Sequence, residues 1–222
     1  MTVIENPGAT VKPSRLFFPL IAAIVLIPSA FADSIDMDDP RRTVGREDNV
    51  RVDAQLIQDT VSPGSPIGIT YQIENASSAP VALADKVTDA SYDPESRTIT
   101  VSIGSEVPSD GKMPRVVTVA PGEKKVFRTG VTPSLGAAAS RSSLAPPRYV
   151  QIKVSILRNL APFAQLIARQ TGAAQTLPDD LYDRWFESND TIYLNAVPVR
   201  FALRRNPGGF AGADQRGTGG GM

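Results

Sequence analysis

The chain has 222 residues, enough for one sizeable domain or two small ones, and it carries 23 Lys and Arg against 23 Asp and Glu. This balance leaves no net field to draw it onto nucleic acid or an anionic membrane surface. It contains neither Cys nor His, which excludes disulfides, thiolate chemistry, Ser-His and Cys-His catalytic pairs and the usual zinc, haem and copper ligands. No cofactor is expected, and a metal would need oxygen ligands.

Lys12 and Arg15 precede a run of 12 residues, 16–27, that is apolar apart from Pro19, and Ala30-Phe31-Ala32 follows. A basic start, a short apolar middle and small residues at −3 and −1 make a secretory signal peptide over 1–32, cleaved after Ala32. Spanning a bilayer takes about 20 apolar residues, more than this run supplies; an uncleaved anchor and a buried helix are the alternative readings. Cleavage would leave 222 − 32 = 190 residues starting at Asp33, with 21 basic and 22 acidic side chains and no membrane span. The expected location is the periplasm or the exterior.

Residues 33–48 are polar and without an apolar period, which predicts a linker. Asp36, Asp38 and Asp39 lack the turn glycine and distal Glu of an EF-hand loop. Period-two alternation then marks strands: Val50, Val52, Ala54 and Leu56; Ile67, Ile69, Tyr71 and Ile73; Ile99, Val101 and Ile103. Asp93-Pro94-Glu95-Ser96 predicts the turn of a hairpin, and Pro121-Gly122 separates a strand at Val117 and Val119 from another over 125–131. Residues 132–147, rich in Ala, Ser and Pro, read as a loop.

Val150, Ile152, Val154 and Ile156 predict a further strand with one face in the core. A last strand covers 191–203, where the apolar phase slips from Ile192 and Leu194 to Val197, Val199, Phe201 and Leu203; a bulge or kink is expected near Pro198. Between these two strands Leu160, Phe163, Leu166 and Ile167 fall on one helical face, and Leu181, Tyr182, Trp185 and Phe186 on another. Pro162 and Pro178 suit first turns. The Gly-rich segment 206–222 cannot hold a core and reads as a disordered tail.

Short strands separated by Pro and Gly turns predict an all-β sandwich over 49–205, with a short helical insertion before the last strand. Two segments sharpen this: Ile69-Thr70-Tyr71-Gln72-Ile73-Glu74-Asn75-Ala76-Ser77-Ser78-Ala79-Pro80-Val81 and Val117-Thr118-Val119-Ala120-Pro121-Gly122-Glu123-Lys124-Lys125-Val126-Phe127. They resemble bacterial extracytoplasmic immunoglobulin-like domains, in which an alternating strand ends at Asn and a Pro-Gly turn precedes the next. The resemblance spans about 50–131 and implies a fold, without site residues.

Ser109-Asp110-Gly111-Lys112 has the Ser-x-x-Lys spacing of penicillin-recognising enzymes, but Asp-Gly between Pro108 and Pro114 predicts a turn instead of a catalytic helix. Asp85, Asp89, Asp93 and Glu95 read as a solvated hairpin face, and Lys124, Lys125 and Arg128 as a strand's solvent face. Asn75-Ala76-Ser77 and Asn189-Asp190-Thr191 are sequons expected in exposed turns. The function expected is that of a non-enzymatic, protein-binding or structural module of the cell envelope. An extracytoplasmic hydrolase with paired carboxylates and a carbohydrate-binding module are the alternatives. Tyr182, Trp185 and Phe186 are the candidate contacts for an envelope protein partner, if they do not instead cap the core.

Overall fold

The computed structural model describes residues 35–104, 111–134, 145–170 and 175–202. The expected signal peptide, its junction at Asp33 and the Gly-rich tail lie outside those residues. In chain order the strands are β1 (Arg42–Glu47), β2 (Val50–Leu56), β3 (Thr60–Val61), β4 (Ile67–Asn75), β5 (Val81–Leu83), β6 (Thr88–Asp93), β7 (Thr98–Ile103) and β8 (Lys112–Met113). There follow β9 (Val117–Val119), β10 (Lys124–Val131), β11 (Tyr149–Leu157), β12 (Gln175–Thr176), β13 (Asn189–Tyr193), β14 (Val197–Pro198) and β15 (Arg200–Phe201). A 3-10 turn (Ala161–Phe163), α1 (Ala164–Ala168) and α2 (Asp179–Glu187) stand between β11 and β13.

The fold is all-β, built on two main sheets. The first has the order β1-β2-β4-β10 and is antiparallel throughout. The second runs β6-β7-β11-β5-β9, with β13 and β14 on the other side of β11. Here β11 lies parallel to β7, from Tyr149 beside Thr98 to Val154 beside Ile103. Alternation explains the packing: every second residue of β2 and β4 is buried, as are Ile99, Val101 and Ile103 of β7 and Val150, Ile152, Val154 and Ile156 of β11. These faces join in one apolar core. A slip of one residue in any of these strands would turn that whole set to water, so the register is strongly specified.

The linker expected over 33–48 is corrected in its second half, which forms β1. Asp39 starts the strand: its carboxylate accepts from the Arg41 backbone N–H at 2.7 Å, from the Arg41 guanidinium and from Gln55 Nε2 of β2 at 2.7 Å. The side-chain bond from Arg41 is the main cause holding the Asp39 carboxyl well below the usual carboxylate range. No apolar period announces β1 because its inward residues are Thr43 and Gly45. The Thr43 hydroxyl donates to the Asn195 carbonyl at 2.6 Å, and a Cβ on Gly45 would stand 2.6 Å from the Tyr193 carbonyl oxygen. Close backbone approach replaces side-chain packing there.

The expected slip near the C-terminus breaks the last strand into three pieces. Ile192, Leu194 and Val197 are all buried, so the phase change falls between Leu194 and Val197, ahead of Pro198. Beyond Pro198 the chain leaves β11, and β15 pairs in parallel with β3.

The insertion before the last strand is helical as expected. Pro178 precedes α2, and its carbonyl accepts from the Leu181 and Tyr182 N–H groups at 2.9 and 3.1 Å. Asp179 and Asp180 complement the positive end of the helix. Phe163 and Trp185 form a second core with Ala82, Ala84 and Leu157, which alternate with main-core residues and so face outward from the second sheet. Met113, Val116 and Leu177 complete it, and the β8–β12 pair ties the insertion to residues 112–113.

Candidate functional site

The three candidate partner contacts on α2 are separated by their surroundings. Trp185 is fully buried, its ring edge-on to Phe163 with centroids 5.4 Å apart, and Tyr182 is half-buried against the same cluster. Phe186 is 65% exposed and is the most open of the three rings. The helix turns it away because residue 186 lies about 100° from residue 185 around the axis.

Asn75 is fully buried, which corrects its expected place in an exposed turn. Its Nδ2 donates to the Ala79 and Val119 carbonyls at 2.9 and 3.0 Å, and its Oδ1 accepts from the Ser77 backbone N–H at 3.0 Å and from the Ser77 hydroxyl. Its own backbone bonds Glu123 and Gly122. Asn75 therefore latches the end of β4 to the Pro121-Gly122 turn. Asn189, the other sequon residue, begins β13 and is partly buried.

The acidic residues around the hairpin do not converge. Asp93 forms the turn itself, accepting from Ser96 Oγ at 2.6 Å and from the Glu95 N–H at 3.0 Å; the Ser96 bond is the main reason its carboxyl sits below the usual range. Asp89 accepts from the Ala90 N–H, and Asp85 lies 3.6 Å from Lys86 Nζ. Among the described residues no group of three acidic side chains is arranged to hold a metal ion. Ser109 and Asp110 lie outside the described residues, while Lys112 is in β8, on a strand instead of a helix.

Tyr71 is the strongly perturbed group. Its ring stacks on Phe127 of β10 with centroids 5.1 Å apart, and its buried hydroxyl has no hydrogen-bond partner. Burial first, and the negative charge of Asp85 second, push its pKa far above the ordinary phenol value of 10.0. Between those two values the unfolded chain has lost the phenolic proton and the folded chain keeps it. Stability is therefore full below pH 10 and falls above it by about 1.4 kcal/mol per pH unit. Tyr71→Phe is expected to remove this alkaline loss while leaving stability at pH 7 unchanged or up to about 1 kcal/mol higher, since it deletes an unpaired buried polar atom. Urea unfolding at pH 7 to 11 checks both.

The remaining feature is an edge. β10 ends the first sheet, and among the described residues no strand pairs with its outer side. It is eight residues long, with Lys124, Val126 and Arg128 exposed on the sheet's outward face. Lys124 pairs with Glu74 at 3.2 Å; Lys125 points elsewhere, reaching Glu123 at 3.3 Å and the Thr118 carbonyl at 2.9 Å. The solvent face expected for Lys124, Lys125 and Arg128 thus holds Lys124 and Arg128 but not Lys125.

No described helix is long and apolar enough to cross a membrane. No family model matches this chain, and no curated protein sequence matches it.

Proposed function

We propose that this is an exported, non-enzymatic module of the cell envelope, an immunoglobulin-like sandwich that binds a protein partner by adding one of its strands to β10. The observation that carries the reading is β10, an eight-residue strand ending the first sheet with which, among the described residues, no strand pairs on the outer side; such an edge can take up an extended segment. Two sheets sharing one core, and the Asn75 latch joining the two segments of immunoglobulin-like pattern, support the fold assignment. The signal-like N-terminus supports export, with the mature chain starting at Asp33 in the periplasm or outside the cell. Phe186 and the exposed part of Tyr182 supply a second contact region on α2; Trp185 serves the core.

Affinity capture from intact envelopes tests this. The bait recovered from its host is expected to begin at Asp33 and to hold a partner that Val126→Lys releases without unfolding the protein, because a lysine on an edge strand opposes added pairing. A bait retaining Lys12 and Arg15, or a partner held equally by Val126→Lys, would remove the respective half of the proposal.

A further inference from the structure

The outward face of the second sheet changes character along β11. At one end Leu157 and Ala82 lie under the helical insertion. Toward the other end the same face presents Lys153, Gln151 and Tyr149. Tyr149 is 41% exposed although β11 is flanked on both sides by other strands, and Tyr193, opposite Lys153 on β13, is 60% exposed. Tyr193 and Tyr149 are thus one strand and four residues apart, about 14 Å across the face. Between and beside them the register sets Thr98 opposite Tyr149, Thr100 opposite Gln151 and Ser102 opposite Lys153. Charge is sparse: Lys153 in the middle, and Asp89 and Asp93 on β6 at the rim.

We propose that this face binds a neutral carbohydrate chain. Two exposed rings at opposite ends match the apolar C–H faces of sugar rings, and the Gln151 amide between them, with the Thr98, Thr100 and Ser102 hydroxyls alongside on β7, matches sugar hydroxyls as both donor and acceptor. A strand-adding protein partner would find no free edge there, since the face lies over paired strands. An apolar protein partner would want an uncharged apolar centre, and the centre here is Gln151, Thr100 and Lys153. Nucleic acid and acidic polymers are disfavoured because the described residues of the face carry one cation against two carboxylates. The carbohydrate face and the β10 edge belong to different sheets, so either can fail without the other.

Co-sedimentation of the protein purified from its host with cellulose and with chitin, and its affinity gel mobility in soluble neutral glucan, test the proposal. Retention on at least one is expected, weakened about tenfold by Tyr149→Ala and by Tyr193→Ala and unchanged by Met37→Ala, which removes an exposed apolar side chain elsewhere. Thermal unfolding verifies that each variant folds. Should either Tyr variant not fold, Thr100→Arg, which sets bulk and charge in the middle of the face while keeping both rings, takes its place. Absence of retention on all three materials, retention indifferent to these substitutions, or a homodimer that the same substitutions dissociate would overturn it.

Discussion

Replacing Trp185 by alanine is expected to cost the helical insertion about 3–5 kcal/mol. The side chain is fully buried and is the largest in the second core, where it meets Phe163 edge-on at 5.4 Å. Its neighbours cannot close over the gap, because Ala82 and Leu157 are held in paired strands and Ala84, one residue past β5, has little reach. The second core is small and separate from the main one, so the loss falls first on α1, α2 and the β8–β12 pair. Hydrogen exchange is the decisive measurement: amides of α2 should open by local unfolding in the variant, while those of β4 and β11 keep their protection. Trp185 is the chain's one tryptophan, so the fluorescence of the unmodified protein reports this core alone. Phe186→Ala, one residue along, is expected to leave stability within about 0.5 kcal/mol.

Asn75→Asp is expected to destabilise the whole domain by about 3–5 kcal/mol at pH 7, the cost of an unpaired buried charge. The substitution changes few atoms and reverses the chemistry of the latch. Where Nδ2 donates to the Ala79 and Val119 carbonyls, a carboxylate oxygen would face two carbonyl oxygens in a site closed to water. Protonating the new carboxyl restores one donor, so the penalty should shrink as the pH falls toward 4. Asn75→Ala removes the side-chain bonds without placing a charge, and its cost should not vary with pH in this way. Urea unfolding of both variants at pH 4 and 7 separates the two mechanisms. Equal losses at both pH values for Asn75→Asp would show that packing, and not the direction of the hydrogen bonds, governs this position.

The long strands were legible in the sequence because alternation is a local property. Val50 to Leu56, Ile67 to Ile73 and Val150 to Ile156 each carry their own period, and all three bury the predicted face. The turn at Asp93 was legible for a similar reason, since Asp93 binds Glu95 and Ser96 within three residues of itself. The candidate partner contacts were only half legible. Helical spacing groups Tyr182, Trp185 and Phe186 on one broad apolar face, and it does not say where that face meets the sheet. The contact with Phe163 and Leu177 puts the boundary between Trp185 and Phe186.

What the sequence determined by itself was the all-β class, the positions of the long strands, the helical insertion and its proline starts, because each depends on residues a few places apart. Tertiary structure decided the rest through partners distant in the chain. β1 exists because Asp39 meets Gln55 and Gly45 lets two backbones come close. The burial of Asn75 depends on Val119, 44 residues away. The face proposed for carbohydrate depends on β7, β11 and β13 being neighbours, which brings Tyr149 and Tyr193 to one surface. Periodicity says which residues share a face of their own strand; only the pairing of strands says what lies across from them.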